Sequence, residues 1–209
     1  MKIIIPARMG SKGLPFKNRT LFKYTAESIP NELRGDTFVT TDDSDIMIMA
    51  RAHGFNVIDR PFCLAQDTTS TKDVLIHALG EINPDPYEDV IVLYLTYPQR
   101  SWKDVKSAME YADSLDFSVN SLLCKKECPS PYLMMFEKGP FGTQVIPHDL
   151  YRRQDYPSCF EISHFVIIFK AHYINNLNSN LYSETTVFYG IDDVVDVDLQ
   201  RDLNQFYEN

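Results

Sequence analysis

Four cations, Arg8, Lys12, Lys17 and Arg19, lie near the start of the chain among Gly10, Gly13 and Pro15, with the donors Ser11 and Asn18 between them. Cations at this density attract an anion. Glycine lets the backbone approach a ligand closely, and consecutive N–H groups can line a concave anion site. Immediately before them, Ile3, Ile4 and Ile5 read as a buried strand that stops at Pro6. A strand running into a flexible, basic, glycine-bearing loop suits a triphosphate. The spacing matches neither G-x-x-x-x-G-K-[ST] nor G-x-G-x-x-G, so this is a phosphate loop of another kind.

A second group with chemical potential lies at the other end of the chain, in Val194-Val195-Asp196-Val197-Asp198. If this segment is a strand, residues two apart point to the same side and both carboxylates share a face. Magnesium is commonly held by one or two carboxylates together with phosphate oxygens and water. The same pattern also fits an edge strand with solvated aspartates, or Asp198 capping a helix over 199–207. The pattern alone leaves the alternatives open.

The elements that must position these groups follow in order. A short helix is expected over 21–30 and a strand over 37–41. Asp42, Asp43 and Ser44 cap a helix over 46–52 that stops at Gly54, and a short strand covers 55–58. The hydroxyl-rich turn 67–71 caps a helix over 72–82. The apolar run 89–95 reads as a strand covered on both faces. Ser101 and Asp104 form a capping box for a helix to about residue 115, with a strand at 117–124 beyond it. A proline-rich excursion over 125–158 holds a hairpin, with 132–136 and 143–146 flanking its turn, and covers a site or a second subunit. A strand over 160–169 and a short helix over 171–178 return to the core. Strands alternating with helices predict an α/β fold with a mainly parallel sheet, whose ligands sit beyond the carboxyl ends of its strands. The loops after the first strand, near Arg60 and near Thr96 should converge there.

Composition bounds the rest. With 209 residues, 44% of them hydrophobic and 23% charged, the chain suits one α/β core with a small excursion. No apolar run reaches the roughly 20 residues of a membrane helix, and Pro6 and Arg8 break any secretory core, so a cytoplasmic protein without a membrane partner is expected. Cys63, Cys124, Cys128 and Cys159 contain no C-x-x-C pair. Reduced, mostly buried thiols fit them better than a zinc site built on Cys124 and Cys128. The net charge is −9, against binding of nucleic-acid polymers. The charge is also uneven, because the first 26 residues hold six of the 20 Lys and Arg and none of the 29 Asp and Glu. A positive patch on an acidic body suits a small polyanion.

These motifs together resemble the cytidylyltransferases that activate acidic keto sugars, the N-acylneuraminate (CMP-sialic acid) cytidylyltransferase family above all. The similarity begins in Ile5-Pro6-Ala7-Arg8 through Gly10-Ser11-Lys12-Gly13, Pro15 and Lys17-Asn18. It continues through Val39-Thr40-Thr41-Asp42-Asp43, Arg60-Pro61 with Leu64-Ala65-Gln66-Asp67-Thr68, and Thr96, Pro98 and Arg100. Arg152-Arg153-Gln154-Asp155 and Asp196-x-Asp198 complete it. The resemblance implies a Rossmann-like three-layer α/β/α nucleotidyltransferase fold, a single domain over 1–209, and a homodimer formed through the excursion. It implies CTP and an acidic keto sugar as substrates and Mg²⁺ as cofactor. Arg8, Lys12 and Lys17 would grip the phosphates, with Gly10, Ser11 and Asn18 beside them, and Arg60 and Thr71 would lie near the cytosine or ribose. Asp196 and Asp198 would hold the metal. Tyr94, Thr96, Arg152, Arg153, Gln154, Ser163 and His164 would surround the sugar.

The departures from the family pattern concentrate at the sugar end. Tyr94 stands where the family has a glutamine, Tyr97 replaces a serine, Gln99 replaces a leucine, and Ser163-His164-Phe165 replaces Asn-Gly-Ala. The chain is also shorter than the family between Asn18 and Val39. His164 reads first as packing beside Phe165, and second as a base near neutral pH. Another acidic or phosphorylated acceptor, or a nucleotide binder that has lost turnover, are the alternatives.

Overall fold

The computed structural model describes residues 1–128 and 131–208; Pro129 and Ser130 of the expected excursion, and Asn209, lie outside the described residues. In chain order the elements are β1 (Lys2–Pro6), α1 (Lys17–Ser28), β2 (Thr37–Thr41), α2 (Ser44–Ala52), β3 (Asn56–Asp59), α3 (Thr71–Ile82) and β4 (Asp89–Val92). Then follow α4 (Trp102–Asp113), β5 (Ser121–Glu127), β6 (Met135–Lys138), β7 (Phe141–Gln144), β8 (Phe160–Lys170), β9 (Val187–Gly190) and α5 (Gln200–Glu208).

Seven strands form one sheet in the order β3-β2-β1-β4-β8-β5-β9, and β6 pairs with β7 as a separate hairpin. β1 is parallel to β2 and β4, β2 to β3, and β5 to β9, while β8 runs antiparallel to both neighbours. This is the expected α/β fold with a mainly parallel sheet.

Because side chains alternate along a strand, the isoleucines of β1 serve both faces. Ile3 and Ile5 pack with Leu21 and Phe22 of α1, Ile46 of α2, Val105 of α4 and Leu203 of α5. Ile4 packs on the other face with Leu75 and Leu79 of α3 and with Ile174. Helices therefore cover both faces of the sheet, giving three layers. Each fully buried aliphatic side chain contributes about 1.5–3 kcal/mol.

Several boundaries differ from expectation. α1 begins at Lys17, so the end of the basic segment is helix rather than loop. β4 ends at Val92 and β5 begins at Ser121. The short helix after β8 is a 3-10 helix over Ala171–Asn176. The largest correction concerns 194–198, which joins no ladder; the strand before it is β9, which the sequence had not signalled. The segment still alternates, with Val197 buried and Asp196 and Asp198 exposed. It is tied to the core by a hydrogen bond from Val197 N to the Thr96 carbonyl at 2.8 Å. Of the cysteines only Cys124 is buried, Cys63 is exposed and all four are free. No helix among the described residues is long and apolar enough to cross a membrane.

Candidate active site

The basic loop is fixed at several points by the sheet beside it. Ala7 N donates to the Thr40 carbonyl at 3.0 Å, Met9 N to Asp42 Oδ1 at 2.7 Å, and Asn18 Nδ2 to the Arg8 carbonyl at 2.8 Å. Leu14 is buried in the core and anchors the far side of the loop. Gly10 has φ +79°, a conformation glycine adopts without penalty. Phe16, with φ 55°, adopts it at a cost and precedes α1 directly.

The start of α1 is unlike that of its neighbours. Asp43 accepts hydrogen bonds from Asp45 N and Ile46 N to cap α2, and Ser70 caps α3 through Asp73 N. A reciprocal Ser101–Asp104 capping box opens α4. α1 has no side-chain cap and no acid in its first turn, which carries Lys17 and Arg19 instead. Cations at the positive end of a helix dipole are unfavourable, and an anion held there relieves the cost.

The cations around this helix end have carboxylate partners. Asp67 takes Arg8 on Oδ1 at 2.5 Å and Lys12 on Oδ2 at 2.7 Å. These bonds, first that from Lys12 and then that from Arg8, hold the Asp67 carboxyl below the usual carboxylate range. Lys17 Nζ reaches Asp198 Oδ1 at 2.6 Å and thus joins the N-terminal loop to the C-terminal segment. The contact is reinforced at Gly13, where a Cβ would lie 2.5 Å from the Asp198 carbonyl oxygen.

Two hollows adjoin this cluster. Arg8, Asn18, Arg60, Thr71 and Tyr94 line a polar cleft of about 240 Å³, with Asp67 in its wall. Gly10, Ser11 and Lys17 line a neighbouring hollow of about 290 Å³ that shares Arg8 and Asn18. Arg60 is buried, donates through Nη2 to the Thr40 carbonyl at 2.7 Å, and keeps its Nε without a partner. Burial lowers its pKa to about 10, and the charge of Arg8 adds to the effect. A buried guanidinium with an unspent donor beside a cleft is suited to a polar ligand.

The residues expected around an acceptor divide. Tyr94 packs its ring against that of His164 at 5.6 Å, and burial pushes its hydroxyl pKa up despite a hydrogen bond with Thr71. His164 Nε2 lies 3.1 Å from the Asn180 carbonyl. Ser163 Oγ lies 3.5 Å from the Tyr97 hydroxyl, which donates to Asp196 Oδ2 at 2.9 Å. Thr96 contributes its carbonyl to the 194–198 segment. Arg152 forms a paired bond with Asp155 at 2.6 and 2.7 Å, and of Tyr94, Thr96, Arg152, Arg153, Gln154, Ser163 and His164, Tyr94 alone lines either hollow.

β8 is irregular at this point. Between the pairs Leu123–Ile167 and Cys124–Ser163 it carries His164, Phe165 and Val166 with no counterpart on β5. Bulges of this kind re-aim side chains and free backbone groups. Arg100 takes up one of those groups, donating through Nη1 to the Phe165 carbonyl at 2.7 Å and through Nη2 to the Tyr94 carbonyl at 2.8 Å. It is 2% exposed, so its place in the motif around Thr96 serves the interior.

Asp196 and Asp198 offer two hard oxygen donors, and Asp198 already draws a cation in Lys17. Among the described residues no group of three or more His, Cys, Asp or Glu is arranged to hold a metal. The donor set therefore fits a magnesium ion that completes its shell with ligand oxygens and water, and does not fit an all-protein metal cage. The sequence reading had assigned no role to Asp67 in this cluster. Its signal was its place in the Leu64-Ala65-Gln66-Asp67-Thr68 stretch of the family resemblance.

Known proteins are similar to this chain in sequence and in fold. An N-acylneuraminate cytidylyltransferase of Streptococcus agalactiae serotype III is 31% identical over 162 residues, which are 73% of this chain and 39% of the relative. That of Escherichia coli O18:K1:H7 is 35% identical over 120 residues, 54% of this chain and 28% of the relative. The chain spans well under half the length of these relatives. A solved structure of CMP:2-keto-3-deoxy-manno-octonic acid synthetase complexed with CTP shares the fold, with a TM-score of 0.69 at 16% identity over 99% of this chain and 96% of that one. Residues 2–111 match the family described as Cytidylyltransferase. By these matches, the chain belongs to the cytidylyltransferase family.

Proposed function

We propose that this chain transfers CMP from CTP to the anomeric hydroxyl of an acidic keto sugar and releases pyrophosphate. The observation that carries the proposal is the Lys17–Asp198 contact, which joins the basic loop to the C-terminal carboxylates beside an uncapped helix start. In this reaction the sugar oxygen attacks the α-phosphorus, the bond to the β-phosphate oxygen breaks, and the hydroxyl proton is lost. The protein's part is alignment and charge neutralisation.

Arg8, Lys12 and Lys17 bear on the phosphates, with Gly10, Ser11 and Asn18 supplying close approach and donors. Nucleotide binding requires Asp67 to yield Arg8 and Lys12. Arg60 and Thr71, in the wall of the polar cleft, face the nucleoside. Asp196 and Asp198 would hold Mg²⁺, which would supply positive charge to offset that of the phosphates. Tyr94, Thr96, Ser163 and His164 bound the acceptor. The Tyr94–His164 ring pair alters the residues beside the acceptor, which is a sialic-acid-like nine-carbon sugar, an eight-carbon analogue or a smaller acid.

The hairpin of β6 and β7 is the core of an excursion over 125–158 that joins two copies of the chain. Its exposed Leu133, Met135, Phe136 and Phe141 support that role. Arg152, Arg153 and Gln154 reach an acceptor only across such a dimer or after a rearrangement.

The test is pyrophosphate release with CTP and Mg²⁺ across a panel of keto-sugar acids, followed by sugar phosphates and other nucleotides. Lys17→Ala and Asp198→Ala should abolish turnover while the protein stays folded, and wild-type release by either refutes the assignment. CTP binding without turnover on any acceptor favours a silent nucleotide binder instead.

A further inference from the structure

The 194–198 segment is held on both sides of Asp196 by the turn that follows β4. Val195 N donates to Gln99 Oε1 at 3.1 Å, Val197 N donates to the Thr96 carbonyl at 2.8 Å, and the Val197 side chain is fully buried. With the backbone pinned, the main freedom left to Asp196 is rotation of its carboxylate. The Tyr97 hydroxyl removes that freedom by donating to Oδ2 at 2.9 Å. Tyr97 is itself fixed. Its ring packs edge-on against Phe165 at 5.5 Å, and Ser163 Oγ approaches its oxygen at 3.5 Å.

We infer that Tyr97 is a positioning residue for Asp196, turning one carboxylate oxygen toward a divalent cation and occupying the other. The inference rests on the proposed role of Asp196 as a metal ligand and adds a residue to it. The β8 bulge also acquires a purpose, since Ser163, which faces the Tyr97 phenol, lies at its edge. A partner that orients a metal ligand is worth about 10- to 100-fold in metal affinity.

The experiment measures Mn²⁺ binding by electron paramagnetic resonance in the presence of CTP, together with CTP affinity in EDTA and thermal unfolding. Tyr97→Phe should weaken Mn²⁺ about tenfold or more while leaving CTP affinity in EDTA unchanged, and 4-aminophenylalanine at position 97 should restore binding because it keeps the ring and a donor. Equal Mn²⁺ affinity in wild type and Tyr97→Phe, with Asp196→Asn weakened, overturns this inference alone. Failure of 4-aminophenylalanine to restore binding also overturns it, and covers the case in which Tyr97→Phe does not fold. Absence of Mn²⁺ binding by the wild-type protein overturns the metal reading and this inference together.

Discussion

Gly13→Ala tests the closure of the phosphate loop against the C-terminal segment. The new methyl would lie 2.5 Å from the Asp198 carbonyl oxygen and 3.0 Å from Leu199 Cδ2. Ordinary contact requires the 198–199 segment to retreat by roughly 1 Å. Overpacking costs about 1–3 kcal/mol, and because the nearest atom is a backbone oxygen next to the buried, hydrogen-bonded Val197, the high end applies. For a chain of this size about 1 kcal/mol lowers Tm by about 2–4 °C. The functional loss should be far larger, because the retreat carries the Asp198 carboxylate away from Lys17. A misplacement of about 1 Å in a reacting assembly can cost about 100-fold in rate. Differential scanning fluorimetry and pyrophosphate release, measured on the same preparation, separate the two effects. Wild-type turnover at a lowered Tm would refute the reasoning, as would a loss of rate no greater than the unfolded fraction explains.

Other perturbations address the remaining parts. Asp67→Asn removes the carboxylate that occupies Arg8 and Lys12, so isothermal titration should show tighter binding of pyrophosphate than wild type; weaker binding would show that Asp67 assists the anion. Since Lys12 and Arg8 depress the Asp67 pKa, the stabilisation from these pairs is present above the unfolded value and lost as pH falls through the folded one. An NMR titration of its carboxyl carbon should accordingly give a midpoint below 3.8. Arg100→Met leaves the Phe165 and Tyr94 carbonyls without their donor at about 1–3 kcal/mol each, which urea denaturation should record as a lowered midpoint. Leu75→Ala, at a side chain with no exposure beneath α3, should cost about 2–5 kcal/mol in the same assay without altering CTP affinity.

The parts of the fold legible in the sequence were those governed by local rules. The strand at Thr37–Thr41, the Asp43 cap, the left-handed Gly54 and the Ser101–Asp104 box all sit where residue type and spacing put them. α1 was misjudged because its start breaks the capping rule, and Phe16 enters it in a left-handed conformation that no propensity favours. β9 escaped notice because Val187–Gly190 is only four residues long and gains its partner solely through β5. For 194–198 the alternation was legible but not its setting, since hydrogen bonds to Gln99 and Thr96 hold it extended without a ladder. In the candidate site the cations declared themselves by density. Asp67 and Tyr97 stood out only as motif positions, and their partners, like the bulge, were not legible because each lies distant in sequence.

The place of β8 has a consequence for how the molecule comes into being. β4 and β5 do not pair with each other, and β8, which follows both, lies between them. A chain emerging from the ribosome can assemble β1 through β4 from neighbouring βαβ units, yet the open edge of β4 stays bare until Lys170 has been made. Such late, long-range pairing slows folding and leaves a sticky edge in the meantime. Asp198 joins Lys17 later still, so the contact between the basic segment and the C-terminal carboxylates is among the last to form, and a nascent chain that stalls before β8 holds its basic loop without Asp196 and Asp198.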